Sequence, residues 1–275
     1  METKTFAPDI PRNEHGQLLF PPDNKRRREL FVPESFNHPA RAHVYMIEAL
    51  VRYLSEPGDL IVDPFGGSGT LLVGALIGRD VTLIELGGEY YELCVKNMTH
   101  LLAGFSPPQP MAIVVHGPNQ QHIQNLEDVQ AFIFSPPYAG ALGTGGGNLS
   151  KFGAQSDALL EAYQDKTQLQ GNQTPFNLDN MSNFMFNQEM KKIYKLCLDA
   201  LKPGGFTCCI IKDRIVQGVK DELGYRAMSD MLAMGYELYD WQRVFMFGSH
   251  YTKYHRSIGR KVIEEEHLIM MQKPL

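Results

Sequence analysis

Cysteine is scarce in this chain and follows no pattern. The four present, Cys94, Cys197, Cys208 and Cys209, show neither CxxC spacing nor a paired framework. That speaks against a zinc site and a disulfide scaffold, and they read as reduced core thiols. Long apolar runs are missing as well. No stretch approaches the roughly 20 residues of a membrane span, and the charged N-terminus lacks a secretory apolar core, so a cytoplasmic protein with no membrane partner is expected. An excess of positive charge is also absent: 26 Lys and Arg stand against 31 Asp and Glu, a net charge of -5. Any contact with a polyanion must therefore be local. No internal repeat is evident.

What the chain does have is alternation. With 275 residues, 43% of them hydrophobic, it can form one large domain or a domain with a sizeable insertion. After a polar, Pro-rich N-terminal arm (1–35), strand-like and helix-like segments alternate, which predicts an α/β fold with a mostly parallel sheet and helices on both faces. Strands are expected at Leu60–Val62, Val81–Glu85, Met111–Val115, Ala131–Phe134, Phe206–Ile211, Tyr236–Met246 and His267–Gln272. Helices are expected at His38–Leu54, Thr70–Ile77, Glu89–Leu102, Phe186–Leu201 and around Tyr225–Met234. The stretch 139–183, rich in Gly, Asn, Gln and Ser, breaks the alternation. A long loop in a compact domain usually has a use, so it reads as a lid or target-recognition insertion within a domain over 36–275.

Two motifs carry chemistry. Asp63-Pro64-Phe65-Gly66-Gly67-Ser68-Gly69-Thr70 joins a short strand to a helix, with glycines that allow close approach of a ligand to backbone amides. It lacks the lysine of a phosphate loop and does not fit GxGxxG, so a ligand docked by an end without phosphates suits it better. Glu85, ending the next strand, stands where an acidic residue accepts hydrogen bonds from ribose hydroxyls. The second motif, Ser135-Pro136-Pro137-Tyr138, follows the apolar run Ala131-Phe132-Ile133-Phe134. Pro-Pro can simply end a strand, but a hydroxyl, a rigid carbonyl and an aromatic ring in sequence also make an acceptor-lined slot for the amino group of a planar base.

These stretches, with Phe36-Asn37-His38-Pro39-Ala40-Arg41, Ile84-Glu85-Leu86 and Leu201-Lys202-Pro203-Gly204-Gly205, make the chain resemble the S-adenosylmethionine-dependent amino-methyltransferases that modify cytosine N4 or adenine N6 in DNA. The resemblance spans roughly residues 36 to 273 and implies a Rossmann-like, seven-stranded class I methyltransferase sheet. It implies that Asn37, His38, Pro39, Asp63, Pro64, Phe65, Gly67, Ser68, Gly69 and Thr70 hold the methionine part of the cofactor, and Glu85 with Leu86 the ribose. Where the family often has Gly-Asp after the third strand, this chain has His116-Gly117-Pro118, so His116 and Gly117 are candidates for the adenine side. Ser135, Pro136, Pro137 and Tyr138 become the catalytic set.

The expected chemistry is transfer of a methyl group to an exocyclic amine. Ser135 and the Pro136 carbonyl would accept the amino hydrogens, Tyr138 would stack on the base, and the base must be flipped out of duplex DNA or already be single-stranded. Within the family, serine at the first motif position leans towards cytosine N4; adenine N6, or an RNA amine on the same scaffold, stays open. Two basic stretches could meet phosphates: Lys25-Arg26-Arg27-Arg28, and 250–261, where Lys253, Arg256, Arg260 and Lys261 alternate with Tyr251 and Tyr254. Modest room for a recognition domain makes a second subunit or a homodimer an expected partner, and a restriction-modification role a possible setting.

Overall fold

In the computed structural model of the chain, residues 4–38, 41–104, 111–137, 178, 181–216, 219–247 and 256–275 are described. The chain divides into two compact units, Met1–Pro136 with Tyr194–Leu275, and Pro137–Ile193.

The first unit is built on one seven-stranded sheet. Its strands are β1 (Leu60–Asp63), β2 (Asp80–Glu85), β3 (Ala112–His116), β4 (Val129–Phe134), β5 (Leu201–Ile211), β8 (Glu237–Phe245) and β9 (Glu265–Gln272), in the order β3-β2-β1-β4-β5-β9-β8. Neighbours from β3 through β5 are parallel, and β9 runs antiparallel to both β5 and β8. β4, VQAFIF, is buried at every position; an unbroken apolar run of this kind requires cover on both faces, as parallel sheets have. Strand order reverses between β1 and β4, so their carboxyl ends flank the crevice where open α/β sheets bind ligands.

Five helices flank these strands: α1 (Asn24–Leu30), α2 (Val44–Leu54), α3 (Gly88–Leu102), α4 (Asn119–Ile123) and α6 (Leu223–Ala233). α2 shows why sequence pattern gives helix: Val44, Ile47, Leu50, Val51 and Leu54 are buried on one side of it. It is shorter than the expected His38–Leu54 helix. Pro33–Asn37 forms a separate 3-10 turn and His38 is extended, with ψ 128°, as the residue before a proline tends to be. Thr70–Ile77, expected as an ordinary helix, is a 3-10 helix bounded by left-handed Gly69 and Gly78. Gly74 lies so close to β1 that a Cβ there would fall 2.5 Å from Ile61 Cδ1.

Other departures are local. Lys202–Gly205, expected to separate helix from strand, lies within β5: the ladder runs from Val129↔Leu201 to Ala131↔Phe206, so the extra residues bulge. Gly205 is required there, since a Cβ would meet Lys202 O at 2.9 Å and Gln130 O at 3.0 Å. A two-stranded hairpin, β6 (Arg214–Val216) with β7 (Val219–Asp221), was not anticipated. Nor was the role of the N-terminal stretch, which contributes Phe6, Leu18, Phe20 and Phe31 to the core. Leu18 also bonds to β8 through Arg243 O and Phe245 N, at 2.8 and 3.0 Å.

Of the second unit, Pro137, Leu178 and 181–193 are described. Ser182 caps the start of α5 (Asn183–Ala200), its hydroxyl accepting from Met185 N at 3.3 Å, and Lys192 pairs with Glu189 at 2.7 Å.

Candidate active site

The glycine loop leaves β1 at its carboxyl end and is held from several sides. Gly66 N donates to Ile84 O at 2.9 Å and Gly69 N to Gly66 O at 2.8 Å, closing a tight turn. Gly67 and Gly69 adopt φ +53° and +74°, the left-handed region that glycine enters without a Cβ penalty. A Cβ on Gly67 would lie 3.4 Å from His38 Nε2, so the loop passes closely beneath that histidine. The His38 ring in turn packs on Tyr90 of α3, with centroids 4.4 Å apart.

Glu85 fastens the loop to β2. Its Oε2 accepts from Gly67 N and its Oε1 from Gly87 N, both at 2.7 Å. The Leu86 amide adds a third backbone contact to the same carboxylate. Burial pushes the Glu85 carboxyl above its usual range, while the amides of Gly87 and Gly67 work the other way. Asp63 accepts from Phe65 N at 2.8 Å. Burial raises its carboxyl to about 7, the Phe65 amide opposes that, and the nearby Glu85 adds to it. Two part-buried carboxyl groups at the carboxyl ends of β1 and β2 suit a ligand bearing hydroxyls and, where they are ionised, positive charge.

Several of the remaining expected cofactor residues lie on the loop or at the neighbouring strand ends. Pro64 O accepts from Asn119 Nδ2 of α4 at 3.2 Å, and Ser68 Oγ lies 3.1 Å from Thr70 Oγ1, both residues buried. Gly117 N donates to Glu85 O at 2.9 Å, joining the end of β3 to the end of β2. His116 Nε2 sits 3.2 Å from Leu86 O, and its ring stacks on Tyr91 at 4.9 Å. Asn37 is exposed; Pro39 lies outside the described residues.

At the neighbouring strand, Phe65 of the loop packs on Phe134, the last residue of β4, with centroids 5.5 Å apart. The motif starts immediately after: Ser135 is exposed and Pro136 buried, both at the carboxyl end of β4, and Pro137 is half-buried. Tyr138 lies outside the described residues. Of the basic residues expected to meet phosphates, Arg256, Arg260 and Lys261 are exposed, and Arg256 is engaged by Glu264; Lys253 is not described. The N-terminal basic run is partly structural. Arg27 is buried, donating to Asp23, to Ala42 O and to Thr70 Oγ1, while Arg26 pairs with Glu48 and Arg28 lies over Phe36. Among the described residues there is no group of His, Cys, Asp and Glu able to hold a metal ion, and no helix long and apolar enough to cross a membrane.

Sequence reasoning missed Tyr90, Cys94 and Asn97. All lie on α3, and all reach the loop or His38; their spacing of four and three residues is the one hint the sequence offers.

The architecture is the Rossmann-like, seven-stranded α/β sheet of class I methyltransferases. Within it, residues 9–96 match the N6_N4_Mtase family model, described as DNA methylase; that stretch contains the glycine loop and Glu85 and ends before Ser135. No curated protein matches the chain. Among solved structures, TrmN from Thermus thermophilus is 15% identical with a TM-score of 0.50, the alignment covering 87% of this chain and 52% of that one. Magnesium protoporphyrin IX methyltransferase from Synechocystis PCC 6803, with bound SAH, is 8% identical (TM-score 0.49; 84% and 83% covered). Precorrin 8W decarboxylase from Methanobacterium thermoautotrophicum is 14% identical (TM-score 0.49; 84% and 91% covered). At 15% identity the likeness to TrmN is one of fold.

Proposed function

We propose that the protein is an S-adenosylmethionine-dependent DNA amino-methyltransferase acting on a flipped or single-stranded base, with cytosine N4 as its target and adenine N6 as the alternative. The observation that carries the reading is the convergence of the loop, Glu85 and Ser135-Pro136 on neighbouring strand ends, with Phe65 against Phe134 between them. The DNA methylase match over the cofactor half supports it.

The residues fit the cofactor. Its ammonium and sulfonium charges complement Asp63, and its ribose hydroxyls suit the carboxylate of Glu85 at the end of β2. Left-handed Gly67 leaves the space that a Cβ would fill. When bound, the cofactor supplies an electrophilic methyl group.

The chain's own task is then to raise the nucleophilicity of the amine. Conjugation with the ring delocalises the nitrogen lone pair; two acceptors on the amino hydrogens, Ser135 Oγ and Pro136 O, favour a pyramidal nitrogen whose lone pair points at the methyl. Proline rigidity fixes the second acceptor. As the new N–C bond forms and the methyl–sulfur bond breaks, positive charge grows on nitrogen. Both acceptors then bind the amino hydrogens more strongly than in the ground state. One of the original amino protons leaves to solvent, and Tyr138 holds the base by stacking. No cysteine follows a proline in the chain, so the thiolate attack used for ring-carbon methylation has no candidate of that form.

The test is transfer of labelled methyl from the cofactor to DNA and to RNA, with the product base identified. N4-methylcytosine in DNA is expected; N6-methyladenine would assign the alternative. Label on RNA alone, or on neither polymer, would overturn the reading.

A further inference from the structure

The glycine loop is held from behind by one face of α3. Tyr90, Cys94 and Asn97 follow one another along it, and each reaches a different part of the cofactor half. Tyr90 packs on His38. Cys94 Sγ donates to Gly67 O at 3.3 Å. Asn97, with 0% exposure, donates from Nδ2 to Ser68 O at 2.9 Å. Its Oδ1 accepts twice, from Val32 N at 3.0 Å and from Ser35 Oγ at 2.9 Å. The amide orientation is fixed by these partners, since only oxygen can face the Val32 N–H and only nitrogen can face a carbonyl.

In a trans peptide the C=O and the following N–H point in opposite directions. Drawing the carbonyls of Gly67 and Ser68 towards α3 therefore turns the amides of Ser68 and Gly69 away from it. With Gly67 N held by Glu85, three successive peptide units of the loop have set orientations. The same Asn97 oxygen anchors the 3-10 turn Pro33–Asn37, which leads directly into His38. One buried amide thus sets both segments assigned to the methionine end of the cofactor.

We propose that Asn97 is a positioning residue for the cofactor: it orients the Gly67–Gly69 backbone and the His38 segment together, without touching the ligand. The inference rests on the cofactor reading above. Replacing Asn97 leaves the Ser68 carbonyl and the Val32 amide without their buried partner, a loss that relaxes the loop.

The test is calorimetric binding of S-adenosylhomocysteine to the full chain, wild type and variants, alongside steady-state kinetics. Asn97→Ala is expected to weaken binding about tenfold or more and to raise the KM for S-adenosylmethionine. At saturating cofactor, kcat and the KM for nucleic acid should stay within about twofold. Ser55→Ala serves as the control. Ser55 is also buried and bonds to Val51 O and Arg79 Nε, but beside the amino end of β2, whereas the loop lies at the carboxyl end of β1, so Ser55→Ala should lower thermal stability and leave binding unchanged. If Asn97→Ala fails to fold, Ser35→Ala and Cys94→Ala carry the same comparison with smaller expected losses. Wild-type binding with variant binding within about twofold overturns the inference alone. Equal losses in Asn97→Ala and Ser55→Ala also overturn it, since they indicate general destabilisation. Failure of the wild type to bind removes the cofactor reading, and the inference with it.

Discussion

The two halves of the candidate site are built differently. On the cofactor side, β2, α3 and α4 all send hydrogen bonds to an eight-residue loop, and α3 also holds the 3-10 turn before His38. On the acceptor side, Ser135 stands exposed at a strand end, followed by two prolines, and no hydrogen-bond network is seen around it among the described residues. The contrast matches the tasks. Under the proposed function, the cofactor half would present fixed dipoles to one invariant ligand, whereas the acceptor half would admit a base that arrives from another polymer.

The largest effect should come from breaking the sparse half. In the proposed mechanism Ser135→Ala removes one of two acceptors aimed at developing charge, and by analogy with lost oxyanion-hole donors turnover should fall about 100-fold or more. Cofactor affinity, measured by calorimetry, should not change. A parallel loss of cofactor affinity would show that the halves are not separable in this way.

Asp63 sharpens the comparison from the other side. Its carboxyl titrates near 7, and only the ionised form attracts a cationic ligand, so cofactor affinity should rise as pH increases through about 7. Asp63→Asn should flatten that profile and weaken binding about tenfold above it. Stability moves oppositely. The folded carboxyl is raised to about 7 from an unfolded value of about 3.9, so folding takes up a proton. The stabilisation this gives is full at low pH and is lost as pH rises from about 4 to about 7. Above that range Asp63→Asn should therefore melt at a higher temperature than wild type, a gain in stability at the expense of binding. A variant that melts lower at pH 8 would contradict the burial argument. Trp241, the single tryptophan, provides an optical signal for such melts.

Gly67→Ala probes the dense half at one point. The substitution forces an alanine to φ +53° with its Cβ 3.4 Å from His38 Nε2, a left-handed conformation costing about 1–2 kcal/mol. If the loop relaxes to escape that strain, cofactor affinity should fall several-fold with kcat at saturation preserved. A fall in kcat instead would mean that Gly67 also shapes the acceptor side.

How far the sequence revealed all this depended on distance along the chain. The strand cores Leu60-Ile61-Val62 and Ala131–Phe134, the glycine loop between its strand and helix, and Glu85 at a strand end are local patterns, and each lies where it was expected. What escaped was made by long-range pairing. Asn97 meets Val32 and Ser35 from more than sixty positions away, and nothing in the local helix pattern marks an asparagine as buried. The core anchors Phe6, Leu18, Phe20 and Phe31 are spread too widely among polar residues to show a period. Thr70–Ile77 is almost wholly apolar and buried, so periodicity could not tell a 3-10 helix from an α-helix there.

The smallest expected effect concerns the exposed C-terminal basic residues. Arg256 is already engaged by Glu264, and a surface pair of this kind contributes little to stability, typically below about 1 kcal/mol. If the arginine exchanges that partner for a phosphate, Arg256→Ala should reduce the slope of log affinity against log salt by about 0.9, one released counterion, and leave thermal stability nearly unchanged. Arg260→Ala should act similarly. Glu264→Gln separates the two roles of the pair: with its competitor neutralised, Arg256 should bind DNA slightly more tightly at low salt. A salt slope unchanged from wild type in all three variants would place this segment away from the nucleic acid, and phosphate contact would then have to come from another part of the chain.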